Sequence, residues 1–357
     1  MAFHPPYPSL PFFMLITGLG IGLEDSAWNA WVGNMENANE LLGLLHGAYG
    51  AGATVGPLFA TAMITKGGLP WYYFYYVMIG AGVPMLILTT ASFWGATAAK
   101  HRAAQEANSG SDKRTTTREV LKKPIPWLLA LFLLGYVGAE VALSGWIVTF
   151  MLRVRNAEPF WAGLTVTFFW LGLTVGRVVL GFITGRIGEK LAITAYLLAS
   201  VAFQLLYWLV PNFAASATFA SLLGFFLGPL FPAAIVAATK LLPVDHHVSA
   251  IGFAAAFGGS GGALFPFAVG AIAQSKGVEV LQPIALAILL FILIIWMFLP
   301  GGLKPGGLER ARENQEGIGH DVKAAVQWVN EKRKGAGGVR KRTVGGDGGV
   351  NEGEERV

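Results

Sequence analysis

Long apolar stretches, interrupted by short polar ones, dominate the first 300 residues of the chain. Each stretch has roughly the 20 residues that a helix needs to cross a lipid bilayer. None alternates apolar and polar positions, which argues against the strands of a membrane β-barrel. The pattern therefore predicts an all-α protein, a polytopic transmembrane helix bundle with about nine spans. The predicted spans are residues 12–33, 41–65, 71–94, 126–150, 160–184, 190–210, 213–241, 248–273 and 280–300.

Polar stretches divide the chain into four parts. Residues 1–94 hold the first three predicted spans, and residues 126–300 hold the other six. Residues 95–125 form a charged linker between them. Residues 301–357 are rich in glycine and in charges of both signs, a composition typical of disordered segments. We therefore predict two membrane bundles, a polar linker and a disordered tail.

Composition excludes several classes of protein. Hydrophobic residues make up 54% of the chain and charged residues 13%, and the mean hydropathy is +0.54. So few charges cannot cover the surface of an ordinary soluble enzyme of this size. The absence of cysteine excludes disulfides, iron–sulfur ligation and thiolate catalysis. The net charge of +5 comes from loops beside the apolar segments, so it does not indicate a nucleic-acid partner.

Lysine and arginine collect on one side of the predicted bundle. If the linker is cytosolic, 21 of the 26 basic residues face the cytosol and four face the opposite side. Such an excess marks the cytoplasmic side of membrane proteins. The chain is therefore predicted to start outside and end in the cytosol. Both the plasma membrane and an internal membrane fit this topology.

Glycine spacings recur along the chain at a nearly constant offset. Gly18 and Gly22 in the first span recur as Gly224 and Gly228 in the seventh, 206 residues later. An aromatic residue followed by glycine recurs between the second and eighth spans at an offset of 208. Spans one to three therefore match spans seven to nine, and spans four to six have no counterpart. Internal repeats of this kind build many secondary transporters.

Several short motifs follow one another in a distinctive order. They are Gly18 to Trp31 in the first span, Leu45 to Pro57 in the second, Gly135 to Glu140 in the fourth and Phe169 to Gly188 in the fifth. Over residues 9–300 this order resembles the major facilitator superfamily. More narrowly, it is similar to the fucose-permease-like branch and its fungal bypass-of-stop-codon relatives.

The resemblance implies an architecture of twelve spans in two six-helix bundles. The nine spans here then correspond to spans four to twelve, and the first three are expected upstream of Met1. Residues 1–94 become the C-terminal half of the first bundle, and residues 126–300 the complete second bundle. The implied function is secondary transport of a small polar solute, such as a sugar, with protons as coupling partner.

Two successive carboxylates lie near the middle of the first span. An ionised carboxylate there costs about 2.5–3.5 kcal/mol on insertion scales, so each requires an explanation. Asp25 shares one helix face with Asn29, Gly18 and Gly22, and Glu24 lies about 100° around the helix. Asp25 either binds solute or a proton, or makes a structural hydrogen bond with a neighbouring helix. The resemblance ties the acid four residues before asparagine, here Asp25, to proton coupling.

Two more polar residues interrupt apolar spans. Glu140 lies centrally in the fourth span, and His46 lies among glycines in the second. Either side chain can bind solute or carry protons. The alternative for each is a single hydrogen bond between helices. Together with Asp25, Glu24 and Asn29, they form the predicted substrate- and proton-binding set.

Arginine occurs once inside a span, at Arg177. It can pair with a buried carboxylate or extend its side chain to the inner interface. With Arg186 it forms a glycine–arginine spacing that resembles the family's cytoplasmic conformational motif, which implies a role in gating. His246 and His247 fall in a predicted cytosolic loop and are interpreted as solvated.

Motifs for other chemistries are missing from the sequence. The glycine-rich run 258–262 lacks the Gly-Lys-Ser/Thr ending and the preceding strand of a phosphate loop, so ATP is not an expected partner. No cofactor or metal is expected either. Two rival functions remain open: a truncated, non-transporting membrane protein or regulator, and an intramembrane enzyme that uses His46.

The topology can be tested by cysteine labelling, because the chain has no cysteine of its own. Ser109→Cys should be protected from an impermeant maleimide on intact cells, since residues 95–125 are predicted inside. Thr65→Cys, at the outer end of the second predicted span, should be labelled. Labelling at position 109 with protection at position 65 would reverse the predicted orientation.

Overall fold

The structure, a computed structural model, describes residue 3 and residues 6–100, 102–103 and 116–314. Most of the predicted linker and the tail beyond residue 314 lie outside these residues. The chain forms two units, Met1–Glu309 and Arg310–Val357, and the helices described below all belong to the first. Within the described ranges the secondary structure is helical and contains no strand, which confirms the predicted fold class.

Ten long helices follow one another in the first unit. They are α1 (Leu10–Gly33), α2 (Ala38–Thr65), α3 (Tyr73–Ser92), α4 (Pro124–Arg153), α5 (Pro159–Ile187), α6 (Glu189–Leu209), α7 (Phe213–Leu227), α8 (Leu230–Leu241), α9 (His247–Lys276) and α10 (Leu281–Phe298). A one-turn helix, Thr117–Val120, precedes α4. Helices α7 and α8 are the two parts of the predicted seventh span, which is broken at Gly228 and Pro229.

Eight helical segments of the described chain are long and apolar enough to cross a membrane, counting α7 and α8 together. Helix α2 matches the predicted second span in position and length but is not among the eight. Its 28 residues include five glycines, His46 and Glu40, which lower its hydropathy. The expectation of about nine spans therefore agrees with the helices observed.

Helix boundaries follow from local sequence. Pro124 and Pro159 open α4 and α5 at positions where the missing backbone N–H costs nothing. Asn212 caps α7, because its side-chain oxygen accepts a hydrogen bond from the Ala215 backbone N–H at 3.0 Å. Gly188, with φ of +88°, permits the sharp turn from α5 into α6.

Helices α1 to α3 form the first half of the unit, and α4 to α10 form the second half. The second half has a closely packed core. Helix α4 lies against α9 and α10, and α6 lies between α7 and α10. Large side chains fill this core, and Phe132 on α4 contacts Trp296 on α10 with ring centroids 5.1 Å apart. Phe150 on α4 packs edge-on against Tyr207 on α6 at 5.3 Å. All four rings are buried, so these helices form one body.

A row of glycines on α2 joins the first half to the second. Gly43, Gly47 and Gly50 face α5, and a Cβ atom at Gly43 would lie 2.6 Å from the Arg177 carbonyl oxygen. At Gly47 the Cβ would meet the Val178 side chain at 2.7 Å. Small residues let membrane helices approach closely, where dispersion contacts between backbones hold them together. The two halves are therefore joined at the α2–α5 contact.

Much of α1 and α3 lies outside this packing. Buried residues on α1 occur only from Asn29 to its end, and α3 has none. A Cβ atom added at Gly18 or Gly22 would meet nothing within 4 Å in the described structure. The helix face that Asp25 shares with Gly18, Gly22 and Asn29 is therefore packed against other helices at Asn29. At Gly18 the same face has no neighbour in the described structure.

The α2–α5 contact predicts opposite effects for two glycines of the same helix. Gly43→Ala should destabilise the protein by about 1–3 kcal/mol, the usual cost of overpacking, because the new methyl group meets backbone. Gly52→Ala is the matched control: nothing lies within 4 Å, and alanine favours the helix. Unfolding in detergent micelles measures both. Equal stability of the two variants would contradict the close approach.

Candidate functional site

An ion pair lies buried where the two halves meet. The Arg177 Nη2 donates to both carboxylate oxygens of Glu140 at 3.2 Å, and the two side chains are only 3% and 7% exposed. The same nitrogen donates to the Tyr136 hydroxyl at 3.3 Å. Of the two alternatives for Arg177, the structure shows pairing with a buried carboxylate and no extension to the interface.

The local sequence explains why Arg177 and Glu140 meet between α4 and α5. Tyr136 and Glu140 are four residues apart on α4, so they project from the same face towards α5. On α5, Arg177 follows Gly176, whose missing side chain lets α7 pack directly against the backbone at Phe225. Gly228, at the break between α7 and α8, likewise lies against the Arg177 backbone. The two glycines thus let α7 and its junction with α8 pack directly against the α5 backbone at Arg177.

A second polar set lies on α1 and α2. The Asn29 Nδ2 donates to Asp25 Oδ1 at 2.8 Å, and the Asn29 Oδ1 lies 2.9 Å from His46 Nε2. Because the amide nitrogen faces Asp25, the amide oxygen faces the imidazole and requires an N–H on Nε2. The neutral His46 that satisfies this arrangement carries its proton there. Its ring also packs on Phe231 at 4.8 Å between centroids.

Arg177 connects the two sets. Its Nη1 donates to the His46 carbonyl oxygen at 3.1 Å, and its guanidinium lies 5.5 Å from the ring centre of Tyr49. A continuous line of polar contacts therefore runs across both halves of the unit. We call it the central chain, and its members are Asp25, Asn29, His46, Arg177, Glu140 and Tyr136. It contains two carboxyl groups and one guanidinium, so one carboxyl is in excess.

The central chain is less deeply buried at one end than at the other. Asn29, His46, Glu140 and Arg177 are buried, whereas Asp25 is half-buried. Glu140 is matched by Arg177, whereas Asp25 forms no ion pair with any described residue. Asp25 is therefore both the less buried and the unmatched carboxyl of the central chain.

Glu24 and Arg186, also predicted as site residues, lie elsewhere. Glu24 is exposed and lines an apolar groove of about 670 Å³ between α1 and α3, together with Trp28, Trp31 and Phe93. Arg186 is exposed near the end of α5, where it forms no ion pair with any described residue. The structure therefore brings together five of the seven predicted residues.

A second polar cluster, missed by the sequence analysis, closes the predicted cytosolic end between the halves. Asn39 Nδ2 on α2 donates to Glu189 Oε1 on α6 at 2.6 Å, and Glu189 pairs with Lys240 on α8 at 2.7 Å. Nearby, the Asn34 Oδ1 lies 2.7 Å from His247 Nδ1. We call these five residues the latch. They adjoin a polar cavity of about 370 Å³.

The two adjacent histidines are not solvated, contrary to the interpretation from sequence. His246 and His247 are 7% and 2% exposed. His247 Nε2 also contacts the Leu242 carbonyl oxygen at 2.8 Å, which places its ring inside the turn between α8 and α9. The interpretation was wrong because two adjacent histidines between spans normally face water. The spacing of residues along the chain does not show that the end of α1 packs against this turn.

Comparison with known proteins gives consistent results. A profile of the Major Facilitator Superfamily matches residues 1–219 and 159–336. Bypass of stop codon protein 6 of Saccharomyces cerevisiae is 31% identical, over 82% of this chain and 64% of its own length. This chain thus spans less than two thirds of that relative.

Solved structures resemble the fold. The transporter FucP, in its outward conformation, superposes with a TM-score of 0.53 at 15% identity, over 76% of this chain and 72% of its own. A variant of the E. coli fucose:proton symporter FucP gives a TM-score of 0.49 at 13% identity, over 78% and 93% of the two chains. The first match shows a shared fold.

The buried ion pair predicts a large stability effect. Glu140→Gln leaves the guanidinium without a negative partner and should destabilise the protein by about 3–5 kcal/mol. The double variant Glu140→Leu with Arg177→Met removes both charges and should recover most of that loss. Unfolding in detergent micelles measures both. If Glu140→Gln is as stable as the parent protein, the ion pair of Arg177 with Glu140 is solvated and not buried.

Proposed function

Because this chain belongs to the major facilitator superfamily, a family of multi-pass membrane transporters, we propose that it carries a small polar solute across the membrane by secondary transport. The central chain supports the proposal. It places carboxyl, amide, imidazole and guanidinium groups from four helices at the contact between the halves. Such groups hydrogen-bond a hydroxyl-rich solute, and their position lets movement of the halves change access to it.

The solute site is proposed at the accessible end of the central chain. Asp25 and Asn29 offer acceptors and a donor for hydroxyl groups. Tyr49, on α2, presents a ring that is 63% exposed above the buried Arg177 guanidinium. An aromatic face beside hydrogen-bonding groups suits a sugar ring, which has apolar C–H faces and polar edges. The solute class we propose is therefore a neutral sugar.

Proton coupling is proposed at Asp25. Its contact with Asn29, whose oxygen in turn meets His46, gives the carboxyl a polar surrounding in either protonation state. When Asp25 is protonated it is neutral, and the ion pair of Arg177 with Glu140 then leaves the central chain without net charge. A deprotonated Asp25 leaves an uncompensated charge in the bundle. Loading and release of one proton therefore changes the cost of burying this site.

The latch supports a transport cycle of alternating access. Asn39 and Asn34, from the first half, bind Glu189 and His247 of the second at the predicted cytosolic end. At the opposite end, the first turns of α1 are exposed. We propose that this arrangement is the outward state and that the latch opens in the inward state. Arg177 then contributes to gating through its bond to the His46 carbonyl, as well as to the site.

One observation favours a second candidate function, a membrane protein that does not transport. Helix α3 has no buried residue in the described structure, so its packing contributes little to a bundle that must move as a unit. A loosely packed α3 favours a membrane protein that does not cycle between states. The intramembrane enzyme gains no comparable support, because His46 contacts an amide and an aromatic ring and no nucleophile.

Asp25 provides the test of coupled transport. Asp25→Asn keeps the size and most hydrogen bonding of the side chain but removes the exchangeable proton. In proteoliposomes with an imposed pH gradient, uphill accumulation of L-fucose or another neutral sugar should disappear, while sugar exchange continues. Glu24→Gln is the matched control, since it removes a neighbouring acid that lies outside the central chain. It should leave both activities near those of the parent.

Three results would count against parts of the proposal. Full accumulation by Asp25→Asn would exclude this residue as the proton site. Loss of both accumulation and exchange would place Asp25 in binding or folding. No uptake or exchange of any neutral sugar by the parent chain, correctly inserted, would favour the non-transporting function.

A further inference from the structure

The segment after the last span folds back onto the bundle. Leu308 is only 1% exposed, and Leu299, at the end of α10, is 2% exposed. Gly301, with φ of +118°, lets the chain turn so that this segment approaches itself at Gly307. Pro305 lies against Gly188, where an added Cβ would be 3.2 Å from the proline Cα. We call residues 299–309 the strap.

The strap ends on the latch. Glu309 Oε1 lies 2.7 Å from Lys240 Nζ, and the same ammonium group lies 2.7 Å from Glu189 Oε1. Glu189 in turn accepts the hydrogen bond from Asn39 of the first half. Four side chains thus form a line from α2 through α6 and α8 to the strap.

We propose that the strap holds the latch closed, with Glu309 as a positioning residue that acts through Lys240. The inference rests on the proposed function, because it names a regulatory element of the same transport cycle. Glu309 belongs neither to a span nor to the contact between the halves. Through Glu309, the segment that follows the last span would control how readily the latch opens.

Burial explains why Lys240 has to be positioned. The Glu189 side chain is only 3% exposed, so its carboxylate depends on Lys240 and Asn39 for compensation. The Lys240 side chain is 30% exposed and flexible, and it can leave Glu189 for water. A second carboxylate on the strap restricts the ammonium group to the position above Glu189. Without it, Glu189 is more often buried with Asn39 alone, which favours separation of the halves and hydration of the carboxylate.

The geometry also identifies how the strap is anchored. Lys190, next to Glu189, donates to the carbonyl oxygens of Trp296 and Leu299 at the end of α10. Leu308 anchors the other end by burial of its side chain. Any force that draws Leu308 out of its site, such as a partner bound further along the chain, therefore also withdraws Glu309 from Lys240.

The test measures opening of the latch directly. Thr239→Cys places a thiol in the polar cavity beside Asn34 and Lys240, in a chain without other cysteines. In inside-out vesicles, an impermeant maleimide labels this half-buried thiol faster when the predicted cytosolic end opens. Glu309→Gln should raise the labelling rate about two- to fivefold, the range expected for a partly exposed ion pair. Glu189→Gln should raise it further, because it removes the carboxylate that pairs directly with Lys240 and leaves Asn39 only a neutral amide oxygen as acceptor.

Two variants separate positioning from a general effect of charge or folding. Leu308→Ala changes no charge but loosens the strap, so it should raise labelling in the same direction as Glu309→Gln. Glu313→Gln is the matched control, because it removes an exposed acid of the same type that forms no ion pair with a described residue. It should label at the parent rate. Unfolding in micelles verifies that each variant is folded.

Two outcomes would overturn the proposal. One is parental labelling in Glu309→Gln or Leu308→Ala while Glu189→Gln opens the cavity, which would restrict the latch to the helices. The other is an equal rise in Glu313→Gln, which would indicate a non-specific effect of charge. Labelling needs no solute, so a failure of sugar transport would not affect this result. The two proposals are therefore tested independently.

Discussion

A guanidinium buried in an apolar bundle must have an anionic partner, and the central architecture of this protein follows from that requirement at Arg177. Its partner, Glu140, lies on a different helix, so α4 and α5 must meet at this depth. The same Nη2 also donates to the Tyr136 hydroxyl, and Nη1 donates to the His46 carbonyl oxygen, whereas Nε has no hydrogen-bond partner among the described residues. One side chain therefore fixes the relative positions of α2, α4 and α5.

The close approach that this pairing requires depends on glycine. On α2, Gly43 lies against the Arg177 carbonyl oxygen, and on α5, Gly176 lies against the α7 backbone. The first contact holds the two halves together without large interlocking side chains, and the second packs α5 against α7 within the second half. Smooth glycine surfaces suit the joint that rotates in the transport cycle we propose, whereas the interlocked rings of Phe132 and Trp296 suit a body that moves as one.

Charge compensation follows a common scheme at two depths of the bundle. In the central chain, Arg177 compensates Glu140 and leaves Asp25 without a cation. Where the strap meets the latch, Lys240 is shared by Glu189 of α6 and Glu309 of the strap. In both places a single cation joins elements that are distant in sequence. In our proposals, a proton at Asp25 and hydration of Glu189 accompany the change between states.

The sequence by itself determined the fold class and most of the central chain. Apolar length predicted the spans, because a helix must cover its backbone with about 20 apolar residues in lipid. The cost of burying charge singled out Asp25, Glu140 and Arg177 as residues with a special role. Only the tertiary structure decided which of them meet, and that Glu24 does not, because partners on different helices share no spacing along the chain. The latch and the strap escaped prediction for the same reason: charged residues near helix ends normally face water, and their burial depends on helices that are distant in sequence.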